Sequence, residues 1–340
     1  MTLGSCEKAD CTVASTGKCL LSEPDPKTCA HFRPTSDAVQ TPAQDVGSMA
    51  LGLEQQAEKK DTRKFHLGNE LGTEDAIEIM RARYAHLIGV LGSSDAGKTC
   101  FLSSLYLMAS GGTLPDPYRF SGSLSLQAFE DRARGLREWT DGKLPSQLVD
   151  HTVLSEPRQP SLLHLAVRRS DEDRRRFDLL LTDLPGEWTD KLVLHRNNAE
   201  SFRFLQRADG IILVVDGKLL VSDQRHVEME RMRYFSERLA TDVKISRDTP
   251  FVIVISKGDE FGMKMPPAAD DLRDYVKGLG FPATAILTAA FSRKPDEVKS
   301  GTGIFDAVDT ILCHLNRISP TPNSVLGGRR SGRTFREFKG

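Results

Sequence analysis

Between residues 86 and 316 the chain alternates short apolar runs with longer stretches of helical periodicity. The short runs are rich in Ile, Leu and Val, which is typical of strands covered on both faces. The longer stretches carry their apolar residues on one side, which predicts helices packed against a sheet. The predicted strands are 86–91, 161–168, 177–183, 210–215, 251–256 and 284–289, and the predicted helices are 98–109, 223–240, 268–278 and 304–316.

The connections between these elements predict the topology. The strands at 161–168 and 177–183 are joined by RSDEDRRR, which is too short for a crossover helix, so we expect an antiparallel hairpin. The remaining strands are separated by helices, and such crossovers give parallel neighbours. The pattern therefore predicts an α/β fold, a three-layer sandwich whose six-stranded sheet is mostly parallel with one antiparallel strand.

Polar segments outside the alternating region set the expected domain boundaries. Residues 1–33 form a cysteine-rich segment, and 34–65 have the composition of a flexible polar linker. The α/β domain is expected at 66–318. Residues 319–340 are rich in Pro, Gly and Arg, which favours a disordered basic tail, although its charges would also suit an acidic partner or RNA.

Composition and charge narrow the class of protein. With 39% hydrophobic and 27% charged residues, the chain can bury a full α/β core. The 46 basic residues are balanced by 47 acidic ones, so the whole molecule gives no reason to expect a nucleic-acid partner. The start lacks a signal-peptide pattern and no apolar run is long enough to span a bilayer, so we expect a cytoplasmic protein without a membrane partner.

Four of the six cysteines lie in the first thirty residues: Cys6, Cys11, Cys19 and Cys29. Disulfides are not expected in a reducing cytosol, which leaves a metal site or separate reduced thiols. The spacings lack the C-x-x-C pairs of zinc ribbons, yet four thiolates could form a closed zinc site, with His31 as a substitute ligand. Both interpretations stay open. Cys100 and Cys313 fall in apolar helical patterns, which predicts that both are buried.

A phosphate-binding loop is indicated by GSSDAGKT, which follows the first predicted strand and opens the first predicted helix. Gly92 and Gly97 let the backbone curl, so that N–H groups and the helix N-terminus converge on phosphate oxygens. Lys98 would bring a positive charge to those oxygens, and the Thr99 hydroxyl is the expected Mg²⁺ ligand. The predicted nucleotide contacts are Gly92, Ser93, Ser94, Asp95, Ala96, Gly97, Lys98, Thr99 and Cys100.

A second motif, DLPGE, follows the strand at 177–183. Ligands of α/β sheets bind beyond the carboxyl ends of the strands, so Asp183 is expected to reach the Mg²⁺ shell through water. The Gly186 amide is expected to contact a γ-phosphate.

The third motif, Ser256-Lys257-Gly258-Asp259, matches the [Asn/Thr]-Lys-x-Asp base-reading pattern of GTPases except at its first position. Asp259 can accept from the ring N1–H and the exocyclic amine of guanine, a donor pair that adenine lacks. The Lys257 stem can lie over the base. Because Ser is smaller than Thr, relaxed base choice and a solvated turn remain alternatives. Thr288 and Ala289 are expected to present a backbone amide to the guanine carbonyl.

A resemblance to the translation-factor-related (TRAFAC) class of GTPases is carried by GxxxxGKT, DLPG and SKGD in this order. A closer similarity, to the bacterial double-GTPase family of conflict (anti-phage) systems, is carried by LIGVLGSSDAGKTCFLSSLY, FSGSLSLQAFE, PSLLHLAV and LLTDLPGEWTD. It runs from about residue 66 to 316. The resemblance implies binding of GTP and GDP with Mg²⁺, slow hydrolysis, and a switch role with protein partners. The cysteine-rich start also resembles a module of some of these proteins.

Two departures from the GTPase pattern bear on catalysis. Glu187 stands where many GTPases have the Gln or His that orients the attacking water. As a catalytic residue it could hold that water, but its charge beside the γ-phosphate would slow turnover. The alternative is a solvated loop carboxylate. The switch-I threonine could be Thr113, Thr140 or Thr152, of which Thr152 is preferred as nearest the following strand. A non-hydrolysing nucleotide-binding scaffold and an ATPase acting on a macromolecule remain alternative functions.

Overall fold

The computed structural model describes residues 4–6, 31–34, 68–137, 161–171 and 174–318. The chain forms two compact units, Met1–Thr62 and Arg63–Gly340. In the first unit, β1 (Gly4–Cys6) pairs antiparallel with β2 (Phe32–Pro34). The other three predicted zinc ligands, linker residues 35–65 and the tail lie outside the described residues, so the zinc site stays a prediction.

The second unit contains the alternating elements that the hydrophobic pattern predicts. Its strands are β3 (Ala85–Leu91), β4 (Tyr118–Gly122), β5 (Leu162–Arg169), β6 (Arg176–Thr182), β7 (Gly210–Asp216), β8 (Phe251–Ser256) and β9 (Ala283–Leu287). Its α-helices are α1 (Thr73–Ala82), α2 (Lys98–Ser110), α3 (Leu126–Arg137), α4 (Gly186–Leu194), α5 (Gly217–Leu220), α6 (Arg225–Arg238), α7 (Pro267–Gly278) and α8 (Ile304–Ile318). Short 3₁₀ segments lie at Arg196–Arg207 and Gly258–Phe261, and a π-helical turn at Leu239–Val243.

The seven strands form one sheet in the order β4-β5-β6-β3-β7-β8-β9. β5 runs antiparallel to both of its neighbours, and the other pairs are parallel. This confirms the mostly parallel sheet with one antiparallel strand, including the β5–β6 hairpin. The predicted count of six is corrected to seven, because β4 is an edge strand whose side chains are mostly half-exposed and carry no continuous apolar run.

Helices cover both faces of the sheet, which confirms the three-layer sandwich. On one face, α2, α3 and α8 bury residues such as Phe101, Phe129 and Ile311 against the strands. On the other, α4, α6 and α7 bury residues such as Met232 and Leu272. Because both faces are covered, every residue of β3, β7 and β8 is buried, as parallel strands in α/β folds require.

Of the two cysteines outside the first segment, Cys313 differs from the prediction. Cys313 is exposed, because the buried stripe of α8 follows Val308, Ile311 and Leu312 and leaves the next position outside it. Cys100 is half-buried. The prediction that both thiols lie in the core is therefore wrong for Cys313.

The parallel strands bring their following loops to one edge of the sheet. The carboxyl ends of β3, β6, β7, β8 and β9 all lie at this edge, and ligands of α/β sheets bind there. Within the part of the chain that the structure describes, no helix combines the length and the apolar character needed to cross a membrane.

Candidate nucleotide-binding site

The phosphate-binding loop runs from the end of β3 to the start of α2. At two of its positions the backbone has a conformation that only glycine adopts easily. Gly92 has φ +149° and Gly97 has φ +97°. A Cβ on Gly92 would lie 2.2 Å from the Val214 carbonyl oxygen, so this part of the loop is pressed against β7. Both predicted glycine roles therefore have a geometric basis.

The close approach at Gly92 gives a stability prediction. Gly92→Ala is expected to lower the free energy of unfolding by about 3 kcal/mol, because the new methyl group meets backbone that cannot move aside. The melting temperature should fall by roughly 10 °C. Gly278→Ala is the matched control, since a Cβ there meets nothing within 4 Å. Equal melting temperatures for the two variants in a thermal unfolding experiment would contradict this loop geometry.

Lys98, the first residue of α2, turns back onto the loop that precedes it. Its ammonium group donates to the carbonyl oxygens of Gly92 (3.0 Å) and Ser93 (2.7 Å), and its side chain is buried. Burial lowers the pKa of Lys98, and nearby carboxylates, led by Asp183 and Glu187, oppose that shift. The loop thus holds a buried cation that could exchange its carbonyl partners for phosphate oxygens.

The D-x-x-G loop lies directly on the phosphate-binding loop. A Cβ on Gly186 would come within 2.3 Å of the Ser94 backbone nitrogen, so the two backbones touch. Thr189, one turn into α4, donates from its hydroxyl to the Gly92 carbonyl at 2.9 Å. Glu187 between them is exposed. The two loops are brought together, and the predicted catalytic carboxylate faces solvent.

Asp183 is fully buried at the end of β6 and is held by an arginine that the sequence analysis did not single out. Arg132 on α3 donates from Nε to Asp183 Oδ2 at 2.6 Å, donates from Nη1 to the Ala128 carbonyl, and pairs with Glu70. Burial acts to lower the pKa of Arg132, but Asp183 and Glu70 hold it above its ordinary value. The carboxylate predicted to reach the Mg²⁺ shell therefore has a cationic partner inside the protein.

The residues expected to hold Mg²⁺ fit that ion. Thr99 lies in the first turn of α2 and Asp183 follows β6, so both oxygen donors stand at the same sheet edge. Across the described ranges there is no cluster of three or more His, Cys, Asp or Glu side chains that could hold a metal by itself. Mg²⁺ needs no such cluster, because it binds to one or two protein oxygens together with phosphates and water.

The predicted base-reading loop is tied to the phosphate-binding loop by two side chains. The Ser256 hydroxyl donates to the Ala96 carbonyl at 2.7 Å, so the smaller residue still reaches the neighbouring loop. Lys257 donates to the Asp95 carbonyl at 2.9 Å and to Asp216 Oδ2 at 2.6 Å. Asp216 ends β7 and was not predicted. The Lys257 stem thus crosses the phosphate-binding loop, where a base could lie beside it.

Asp259 borders a cavity of about 120 Å³ beside this loop. Its carboxylate is buried and accepts from the Arg293 backbone N–H at 3.0 Å. Cys100 lines the same cavity, and burial raises the pKa of its thiol. The cavity therefore combines a buried carboxylate with apolar walls, as a base-binding site requires.

The backbone amides predicted to contact the guanine carbonyl form hydrogen bonds within the fold after β9. The Thr288 N–H donates to the Ile255 carbonyl at 2.8 Å, and the Ala289 N–H donates to the Thr302 carbonyl at 3.0 Å. Both amides are thus engaged within the fold. Thr288 and Ala290 both line the cavity here, so the contact through this segment stays a prediction.

The comparison with protein families matches the region that holds these motifs. The model of the Double-GTPase 2 family covers residues 86–312, well over half of the chain. The chain belongs to the Double-GTPase 2 family. Its three motif loops all lie within the matched residues, and the predicted resemblance to double GTPases is confirmed.

Among solved structures, this Double-GTPase 2 member is similar to GTP-binding proteins at low identity. A GTP-binding protein of Sulfolobus solfataricus in complex with GDP shares 15% identity, with 72% of this chain and 57% of that chain covered and a TM-score of 0.34. The nucleolar GTP-binding protein 1 of Plasmodium falciparum shares 12%, with 69% and 88% covered and a TM-score of 0.37. The chain thus spans less than two thirds of the Sulfolobus protein. No curated protein matched it.

This Double-GTPase 2 chain also carries a buried carboxylate that the sequence analysis missed. Glu228 on α6 accepts from the Ser93 hydroxyl at 3.3 Å and lies 3.7 Å from Arg231. Arg231 in turn pairs with Asp190 on α4 at 3.1 Å. Burial raises the pKa of Glu228, and Arg231 opposes the shift. The Arg231–Asp190 ion pair joins α6 to α4, and the hydrogen bond from Ser93 joins α6 to the phosphate-binding loop.

Of the three threonines considered for switch I, only Thr113 lies among the described residues. Thr113 is exposed beyond the C-terminal end of α2, whereas Thr99 lies at its start. A helix of 13 residues is about 20 Å long, so Thr113 lies far from Thr99, the predicted Mg²⁺ ligand. Thr140 and Thr152 lie outside the described residues, and the preference for Thr152 stays a prediction.

Proposed function

We propose that this protein is a GTP-binding molecular switch that hydrolyses GTP slowly with Mg²⁺ and acts with protein partners. The observation that carries the proposal is the contact between the three motif loops. Gly186 lies on Ser94, and Ser256 is bonded to Ala96, so both outer loops meet on the phosphate-binding loop. A nucleotide bound there would touch all three at once.

The side chains of the site have distinct proposed roles. The loop amides and Lys98 bind the phosphates, with Lys98 exchanging two carbonyl partners for phosphate oxygens. Asp259 accepts from guanine, and Lys257 covers the base. Guanine offers Asp259 two donors, whereas adenine would leave a buried carboxylate without them. The chain's own residues therefore favour GTP over ATP.

Thr99 and Asp183 are the residues proposed to hold Mg²⁺. When bound, the ion would neutralise charge that develops on the β- and γ-phosphate oxygens. Their placement at the start of α2 and the end of β6 supports this assignment.

The proposed switch is the D-x-x-G loop. Its Gly186 backbone touches Ser94, and Thr189 and Asp190 connect α4 to Gly92 and to α6. A γ-phosphate that displaced Gly186 would therefore move α4 as well. Two strongly exposed apolar side chains, Leu194 and Val227, lie on the adjacent helices α4 and α6, which supports a protein partner at this surface.

Glu187 gives a prediction about the rate of hydrolysis. Glu187→Gln is expected to raise the rate of phosphate release about tenfold, because the amide can still hold a water without a negative charge beside the γ-phosphate. Single-turnover phosphate release from GTP with Mg²⁺ measures this rate. Glu200→Gln, an exposed carboxylate in the 3₁₀ segment, is the control. A lower rate in Glu187→Gln would show that the carboxylate itself assists catalysis.

The same assay tests the proposed enzyme activity. The wild-type protein should release phosphate slowly from GTP, and chelation of Mg²⁺ by EDTA should stop the release. Tight GTP binding without release, alone and with protein partners added, would contradict hydrolysis and leave a nucleotide-binding scaffold. We propose the anti-phage setting from the resemblance to conflict-system double GTPases, and survival of phage-challenged cells with and without this gene tests it.

A further inference from the structure

A buried ion cluster surrounds the carboxylate that we assign to the metal site. The exposed fractions of the side chains are 0% for Asp183, 11% for Arg132 and 25% for Glu70. Arg132 uses three nitrogen atoms: Nε on Asp183, Nη2 on Glu70 and Nη1 on the Ala128 carbonyl. The Arg132 guanidinium thus binds the carboxylate of Asp183 to which a divalent ion would also be attracted.

Backbone hydrogen bonds hold the three elements of this cluster together. The Ala128 N–H donates to the Gly68 carbonyl at 2.9 Å, which joins α3 to the segment that carries Glu70. Leu71 and Leu162 form an antiparallel bridge, and the Asp183 N–H donates to the Ser161 carbonyl at 3.0 Å. Backbone hydrogen bonds between these elements therefore hold the Arg132 guanidinium beside Asp183.

Helix α3 is also fixed on its other side. Phe129 stacks on Tyr106 of α2 with ring centroids 5.0 Å apart, and Tyr106 is bonded to Glu130. Since α2 begins with Lys98 and Thr99, the helix that carries Arg132 packs on the helix that carries one of the two proposed metal ligands.

A guanidinium and a divalent cation compete for one carboxylate, because two positive charges repel each other at such short separation. Arg132 can give up its bond to Asp183 and keep its bonds to Glu70 and Ala128. Its release from Asp183 therefore leaves two of its three partners in place. An incoming nucleotide brings the phosphate charge that a free metal ion lacks.

We propose that Arg132 competes with free divalent cations for Asp183, so that metal enters the site together with nucleotide and not before it. This rests on the proposed role of Asp183 in the metal shell. Arg132 is then a positioning residue that sets the order of loading. It keeps the buried carboxylate neutralised until a metal–nucleotide complex arrives.

The test measures binding of Mn²⁺ to nucleotide-free protein. The electron paramagnetic resonance signal of the free ion reports how much Mn²⁺ remains unbound. Arg132→Met removes the charge at similar length and is expected to tighten Mn²⁺ binding about tenfold or more. Arg132→Lys keeps the charge and should behave like the wild type. Arg134→Ala, an exposed position on the same helix, is the matched control. Adding Asp183→Ala to Arg132→Met should abolish the gain.

Unchanged or weaker Mn²⁺ binding in Arg132→Met would overturn the proposal, and so would a gain in Arg132→Lys equal to that in Arg132→Met. Thermal unfolding checks that each variant is folded. Arg132→Gln offers a second neutral side chain. Loss of folding in both neutral variants would overturn the proposal, because Arg132 would then be needed for the fold itself. If Arg132→Met binds Mn²⁺ more tightly while the wild-type protein binds no GTP with Mn²⁺, the result would contradict the proposed function but support competition between Arg132 and cations for Asp183.

Discussion

Lys98→Ala is expected to weaken GTP binding about 100-fold and to reduce phosphate release to background. Loss of a charge-assisted hydrogen bond costs roughly 1.5–3 kcal/mol, and Lys98 is placed to make such bonds to the phosphates. Its side chain is buried, and acidic groups surround it: Asp95, Asp183, Glu187 and Asp190. Without the ammonium group these carboxylates would repel the nucleotide.

The measurement is titration of fluorescent GDP and GTP into purified protein, with phosphate release recorded in parallel. Lys277→Ala is the control, because Lys277 is exposed on α7 and has one long ion pair, 3.9 Å from Asp274. Retention of wild-type affinity by Lys98→Ala would remove the phosphate-binding assignment from this loop.

Asp259→Asn is expected to exchange guanine for xanthine as the preferred base. An asparagine amide can donate to the C2 carbonyl of xanthine, whereas it leaves a guanine donor without its charged acceptor. A buried polar site discriminates strongly when one partner is missing, so GTP affinity should fall about 100-fold or more and XTP affinity should rise comparably. The Asn oxygen can still accept from the Arg293 N–H, which preserves the loop.

Competition of GTP and XTP for the fluorescent nucleotide measures this exchange. Asp271→Asn, on the exposed side of α7, removes one carboxylate elsewhere and should change neither affinity. An Asp259→Asn variant with unaltered affinity for both nucleotides would mean that Asp259 does not face the base.

The sequence pattern predicts the sheet well where strands are covered on both faces. β3, β7 and β8 are continuous apolar runs, and such runs arise because no position faces water. β4 and α3 carry too few apolar residues for a pattern to emerge. Because the sequence pattern did not predict α3, it did not indicate a role for Arg132. Its partner Asp183 lies 51 positions away in the chain, so no local motif joins the two.

The meeting of the three motif loops was predictable because the loops follow strands whose ends lie at one edge of the sheet. Their partners were not, because those contacts depend on how helices pack. Glu228 is charged and lies on a largely polar helix, which normally indicates exposure, yet Ser93 and Arg231 satisfy it in the interior. The engaged amides of Thr288 and Ala289 likewise follow from pairing after β9 that no local pattern reveals.

The most direct test of the central claim, a guanine-specific nucleotide site, is displacement of a fluorescent GTP analogue from the wild-type protein by GTP and by ATP. Asp259 and the buried walls of its cavity predict that ATP competes about 100-fold more weakly than GTP. Equal displacement by the two nucleotides would contradict the guanine assignment.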